Sequence, residues 1–416
     1  MMMDTDHTAN ASHEVRSHAV RRGPTAGQKL SYLGRWLPNY VWQRFTRHRP
    51  SSKTHLIFAL ADHFEPGIVP EDGSARAPYP EQERRLERWC REYPIRFGRY
   101  LDAEGRPFVH SYFYPAEQYD QALIARLADH CRTGWGEIEI HLHHGVKAPD
   151  SAENTRRQLI EFRDRLAGEH GCLSYESDSA EPRYAFVHGN FALANSNHGR
   201  DCGVDSEMQI LAETGCYADL TLPTGAFHGA QIGKINSIYE CALPLTEPVP
   251  HRKGIDLARG TAPRIFPLIV QGPLMLDFRS RRGSRRFVHI DNAALTGPNP
   301  ASLHRLNRWK RAAISVKGQP DWLFIKLHCH GMDFRHEDAT LGAAMQEFLR
   351  ELTSEAEQRN EILHFTSARE MVNIILAACD GKEGNPGNYR DYRLQRARPV
   401  LRDSQYSQRS AEVLKG

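Results

Sequence analysis

From residue 54 to residue 380 the chain repeats one pattern, a short apolar run rich in β-formers followed by a longer stretch with helical spacing. That alternation constrains the fold most, because βα units lay parallel strands side by side under their own helices. The runs are His55–His63, Phe108–Tyr114, Glu137–His144, Tyr184–Asn190, Ala218–Pro223, Pro267–Gln271, Trp322–His330 and Ile362–Phe365. Between them the spacing predicts helices over Glu81–Phe97, Gln121–Thr133, Asn154–Ala167, Ser206–Thr214, Leu341–Glu355 and Ala368–Ala378, with a basic helix at Leu303–Arg311. About eight units in one chain suit a single α/β fold, a distorted seven- or eight-stranded (β/α) barrel. Leu274–Ile290 breaks the rhythm and reads as an inserted β-hairpin turning at Arg282-Gly283-Ser284. Its arginines (Arg279, Arg281, Arg282, Arg285, Arg286) form either a solvated hairpin or a receiver for phosphate or carboxylate.

The barrel is expected over 51–380, between a polar, aperiodic tail at 1–28, read as disordered, and a polar C-terminal tail at 381–416. Residues 29–50 form a basic amphipathic segment with Leu30, Leu33, Trp36, Leu37, Tyr40, Val41 and Phe45 near helical spacing, interrupted by Pro38. Such a segment either docks on the barrel exterior or makes peripheral membrane contact through 29–49. The N-terminus has no apolar core of a secretory signal, and no run approaches the length of a membrane span. A cytoplasmic protein is therefore expected, with its eight scattered cysteines, none in a CxxC pair, reduced. A net charge of +3 on 416 residues argues against nucleic acid as a partner.

The chain holds 22 histidines, several grouped where apolar runs end. In a βα barrel those ends form the catalytic face, and imidazole both ligates metals and titrates near neutrality. Asp62-His63 follows LIFAL and can offer a general base beside a metal ligand. In Glu137–His144 the alternation puts His141 and His143 on one face, where they can share one ion, while His144 faces away in a regular strand. His328 and His330 share a face at the end of WLFIKL, and one of them can serve as general acid. His188-Gly189-Asn190 offers donors for an oxyanion. Asp219 can orient a catalytic histidine. Tyr112, Tyr114 and Tyr217 can stack on sugar rings or fill the core.

With these residues in place, the chain resembles the NodB-type polysaccharide deacetylases of the glycoside hydrolase/deacetylase superfamily, in motif order over residues 54–370. Their Asp-Asp pair after the first strand is here Asp62-His63, which implies Asp62 as base and His63 as metal ligand. Glu137-Ile138 leading to His141 matches their metal-binding histidine motif, with His143 or His144 as partner because the usual spacing falls on Gly145. Leu327-His328 matches their last motif and implies His328 as general acid, while His188-Gly189-Asn190 replaces an Arg-Pro-containing segment. The ADHF segment is also similar to the Ala-Asp-Asp-Phe of YdjC-like carbohydrate deacetylases. The resemblance implies a divalent metal ion, zinc favoured by imidazole ligands, and hydrolysis of an acyl group, N-acetyl above all, on a carbohydrate. The alternatives are a metal-dependent glycoside hydrolase, using Asp62 with Glu65, Glu139 or Asp219, and a non-catalytic carbohydrate-binding barrel.

Overall fold

The computed structural model describes residues 24–47, 53–70, 75–248, 254–278, 281–282, 285–286 and 288–397. In chain order the strands are β1 (Thr54–His63), β2 (His110–Pro115), β3 (Gly136–Leu142), β4 (Ser174–Glu176), β5 (Tyr184–His188), β6 (Cys216–Asp219), β7 (Ile238–Glu240) and β8 (Ile255–Asp256). They continue with β9 (Leu268–Val270), β10 (Met275–Asp277), β11 (Arg281–Arg282), β12 (Arg285–Arg286), β13 (His289–Asp291), β14 (Trp322–Cys329), β15 (Glu361–Phe365) and β16 (Leu394–Arg396). The helices are α1 (Ala26–Thr46), α2 (Tyr79–Phe97), α3 (Gln121–Arg132), α4 (Ala152–Gly168), α5 (Glu207–Glu213), α6 (Leu303–Arg311), α7 (Glu337–Thr340), α8 (Ala343–Ser354) and α9 (Ala368–Cys379).

The central sheet has ten strands in the order β14-β1-β2-β3-β5-β6-β9-β7-β8, with β15 also paired to β1. From β14 to β9 every pairing is parallel, as βα units require, and only β7 and β8 run antiparallel at the far edge. The fold is therefore mixed α/β with a mostly parallel sheet. Among the described residues no ladder joins β9 to β14, so strand pairing does not close the expected ring. Across that gap the buried Lys326 ammonium donates to the carbonyls of Leu220 and Leu222 at 2.6 and 2.7 Å.

Alternation along each strand builds two apolar layers. Leu56, Phe58 and Leu60 of β1 pack with Ile138, Ile140 and Leu142 of β3 and with helices α2 and α3. Ile57, Ala59 and Ala61 face the other layer, where α9 lies with all twelve residues buried. At the base of that layer Arg369 of α9 grips Glu137 of β3 through three contacts of 2.8–3.2 Å, fixing the strand that leads to the histidines.

Three expectations about the flanks change. Helix α1 starts at Ala26, inside the stretch read as disordered, because Thr25 and Gln28 form a reciprocal capping box. It also runs through Pro38 as one helix. It docks on the fold by burying Trp36 and Tyr40, with the Trp36 indole donating to Ala226 O, and leaves Leu30, Val41, Trp42 and Phe45 exposed. The C-terminal segment is ordered to residue 397, where β16 pairs with β4 and Asn373 holds the Arg390 and Leu394 backbone. The inserted hairpin is present as β10 with β13 and β11 with β12. Its arginine side chains and the Gly283-Ser284 turn lie outside the described residues, as do most of the N-terminal tail and residues 398–416. All eight cysteines are unpaired, and no helix among the described residues is long and apolar enough to cross a membrane.

Candidate metal centre

Three strands end at one point. His63 closes β1, His141 lies near the end of β3 and His328 near the end of β14. The imidazole of His63 stands 5.0 Å from that of His141, 4.7 Å from that of His330 and 6.1 Å from that of His328, centre to centre. His143 follows at 4.4 Å from His141. The histidines taken from the sequence therefore converge. Glu65, two residues beyond β1, is buried among them, with Oε1 3.4 Å from His141 Nε2 and 3.8 Å from His143 Nε2.

The decisive atom is His141 Nε2. His141 Nδ1 lies 2.6 Å from Val187 O and, facing an acceptor-only oxygen, must donate its proton there. The neutral ring then leaves Nε2 with its lone pair, fully buried and, among the described residues, without a hydrogen-bond donor, the acceptor Glu65 Oε1 standing 3.4 Å away. An orphaned imidazole lone pair is costly in a protein interior unless something electrophilic occupies the space beside it. His63, Glu65 and His141 each bring one ligand atom to within 4.8 Å of the other two. Carbonyl anchoring of Nδ1 is also how metal-ligating histidines are commonly oriented. The residues present fit a divalent ion.

Electrostatics agree with that fit. Burial, reinforced by neighbouring imidazoles, holds His63 and His141 below the usual histidine range, so both are neutral at pH 7. Burial also lowers His328, with the Lys326 charge adding to it. Burial alone would raise Glu65, but the surrounding His141, His143 and His330 more than reverse this and bring it to about 2. His143 differs. Burial would lower it, yet its bond to Glu117 (2.7 Å) and the Glu65 charge raise it to about 9.

Not every residue read from the sequence belongs here. Asp62 alternates to the opposite face of β1, where its carboxylate accepts from Gly331 N at 2.6 Å and meets His110 Nδ1 at 2.9 Å. A Cβ on Gly331 would stand 2.3 Å from Asp62 Oδ2, so only glycine allows this approach. Asp62 thus anchors the turn after His330 rather than facing the cluster. Asp219 is spent on Thr221, whose hydroxyl donates to it at 2.6 Å, and orients no histidine; burial raises it to about 7. His188 turns away to a separate buried group, and Asn190 reaches only Asp201 at 3.5 Å. Tyr112, Tyr114 and Tyr217 are wholly buried and belong to the core. Glu139 is buried between the Tyr217 hydroxyl and Ala185 N, and burial pushes it up to about 8.

Of the two candidate partners, His143 stays beside His141, and His144 faces His188 and Glu207. Glu65 enters from the sequence only as a carboxylate of the glycoside hydrolase alternative, and Glu117 and Phe191 have no signal there. Glu65 and Glu117 follow strand ends, where no periodicity fixes direction. Phe191 sits at φ 59° in an irregular loop, a conformation that costs about 1–2 kcal/mol for a residue with a Cβ. Its ring there lies 5.6 Å from His63 and 5.9 Å from His328, walling the cluster. Nearby lies a cavity of about 580 Å³, lined by Tyr32, Lys147, Arg200, Asp201, Phe227 and His228 among others, with none of the clustered imidazoles in its wall. Its His228 ring is 6.3 Å from Phe191. Compared with known protein families and with characterised proteins, the chain matches no family model and no curated protein.

Proposed function

We propose that this chain is a metal-dependent hydrolase that removes an acyl group, N-acetyl in the first instance, from a carbohydrate, on a (β/α) barrel whose ring is left open between β9 and β14. The observation that supports this most is the buried Nε2 of His141, without a donor among the described residues, beside His63 and Glu65. The NodB-type motif order points the same way. His63, Glu65 and His141 would hold the ion, with His143 beside them on Glu117. The chemistry such an ion supplies when bound is polarisation of an acyl carbonyl and a water made acidic near neutral pH, and imidazole ligands favour zinc.

The rest is done by the chain. Asp62 fixes the turn carrying His330 through Gly331 N–H. His328, kept neutral by burial and by Lys326, has a buried Nδ1 without a partner among the described residues. That atom takes the proton from the attacking water and returns it to the departing amine, so one imidazole serves in turn as base and acid. This reassigns the base from Asp62. Phe191 packs against His63 and His328, and the cavity on the His228 side of its ring would hold the polar ring of a substrate with Lys147, Arg200 and Tyr32. The glycoside hydrolase alternative loses support because, of its candidate carboxylates, only Glu65 lies among the imidazoles.

The test is product analysis on a panel of N- and O-acetylated sugars with zinc, cobalt, nickel or iron supplied. Acetate release that falls at least about 100-fold in a folded His141→Ala variant, together with one metal equivalent, is expected. Reducing-sugar release without acetate, or no turnover with any of the four metals, would overturn the reading.

A further inference from the structure

A second group of ligand-type side chains lies apart from the mouth. His144 leaves β3, His188 ends β5, Cys202 comes from the long loop after β5, and Glu207 opens α5. All four are buried, and their ligand atoms lie within 4.8 Å of one another. His144 Nε2 is 2.9 Å from His188 Nε2 and 2.8 Å from Glu207 Oε1. His188 Nε2 is 3.3 Å from the same oxygen, and Cys202 Sγ is 3.7 Å from Glu207 Oε2.

The hydrogen bonding around this group leaves it short of donors. His188 Nδ1 faces the Gly189 carbonyl, which only accepts. His144 Nδ1 faces the Asp150 carboxylate at 3.0 Å, and Thr155 Oγ1, which donates to the same carboxylate, lies 3.1 Å away. Both Nδ1 atoms therefore carry protons, and both rings turn Nε2 inward onto one Glu207 oxygen. Burial would lower both rings, but the Glu207 carboxylate more than reverses this, raising His144 and bringing His188 to about 9. A proton therefore holds the centre of the group, at a position that a divalent ion can also take.

We propose that His144, His188, Cys202 and Glu207 form a second metal site, a four-ligand zinc-type centre that fastens the 189–207 loop to β3 and β5. Two nitrogens, one sulfur and one oxygen complete a closed shell of the kind that structural zinc takes. The thiolate and the carboxylate cancel a divalent charge, so the buried assembly is neutral. Zinc–ligand bonds of about 2.0–2.3 Å in a tetrahedron separate ligand atoms by roughly 3.3–3.7 Å, so the imidazoles need part by only a few tenths of an ångström. Outer contacts are already set: Asp150 on His144, the Gly189 carbonyl on His188, and Ala194 N donating to Glu207 Oε2 at 2.6 Å. The backbone makes room as well, since a Cβ on Gly145 (φ 64°) would fall 2.0 Å from the Cys202 carbonyl oxygen. The loop it would fasten needs such a clasp, with Asn190, Phe191, Ala194, Asn195, His198 and Asp201 all at positive φ. On binding, the Cys202 S–H proton and the proton that the imidazoles hold toward Glu207 both leave to solvent as the sulfur–metal and nitrogen–metal bonds form.

Sulfur makes the site separable from the mouth, whose ligands are nitrogen and oxygen only. Zinc-loaded wild-type protein should show one sulfur per chain in its zinc X-ray absorption fine structure. After exchange to cobalt(II), a thiolate-to-cobalt band should appear in the near ultraviolet, survive in Cys329→Ala and vanish in Cys202→Ala. A wild-type zinc shell of nitrogen and oxygen alone would overturn the proposal, and so would a cobalt band that persists without Cys202. If Cys202→Ala fails to fold, a sulfur shell in wild type together with a cobalt band that survives in Cys329→Ala decides the matter. Sulfur ligation without acetate release would retire the hydrolase reading and leave this one standing.

Discussion

Replacing Arg369 by methionine tests how the strand bearing His141 and His143 is held. Arg369 is 3% exposed and contacts Glu137 through Nε and Nη2 at 2.8–3.2 Å. Its Nη1 donates to Asp391 and to the carbonyls of Arg390 and Leu394. Burial raises the Glu137 carboxyl, and the Arg369 guanidinium more than reverses this to hold it below the usual range. That depressed pKa contributes stability present above the unfolded value and lost as pH falls through the folded one. Without the guanidinium, Glu137 keeps the Ser367 hydroxyl (3.0 Å) and the Arg396 charge, which do not offset its burial, and its pKa rises above the unfolded value. Removing one partner of a buried pair costs about 3–5 kcal/mol at pH 7. Because the stranded carboxyl can then protonate, the deficit should shrink on going from pH 7 to pH 5. Urea unfolding at both pH values measures it, provided the slope of the transition is unchanged. A deficit under about 1 kcal/mol at pH 7, or one that grows as pH falls, would refute the reasoning.

Gly331→Ala should destabilise by about 1–3 kcal/mol, since the new methyl meets Asp62 Oδ2 and the Trp89 ring, and should weaken metal binding at the mouth by displacing His330. Thermal unfolding and metal titration read the two effects, and wild-type values in both would contradict the placement of Asp62. Asn373→Ala removes a partner from four backbone groups of Arg390, Arg393 and Leu394, of which the two carbonyls keep Arg369 Nη1, and should cost about 1–3 kcal/mol. It should also raise the protease sensitivity of the segment after Cys379, and an unchanged cleavage rate would count against that role. Phe191→Gly relieves the backbone conformation but opens the wall over His63 and His328, so stability should hold or rise while acetate release falls. Equal activity in this variant would show that the ring is not needed there.

The parallel sheet was legible because its signal is local. The runs at His55–His63, Glu137–His144 and Trp322–His330 coincide with β1, β3 and β14 to within one or two residues, and the helix over Leu303–Arg311 matches α6. Convergence of His63, His141 and His328 followed from the same logic, since parallel strands bring their C-terminal ends to one side of a sheet. Direction beyond the last ladder pair did not follow. Asp62 and His63 are neighbours with opposite fates because alternation still holds there. At Glu65, Glu117 and His144 the chain has left the strands, and tertiary contacts alone decide where the side chains point. The Cys202 and Glu207 partnership spans a loop of positive-φ residues that no periodicity announces. The short edge strands β7 and β8, three and two residues long, are set by pairing rather than by composition.

Anomalous diffraction at the zinc edge, on crystals of the full chain grown with zinc, tests the central claim most directly. The account predicts a peak about 2.0–2.2 Å from the His63 imidazole, a Glu65 oxygen and His141 Nε2. Density confined to the Cys202 group, with nothing between His63 and His141 at saturating metal, would contradict it.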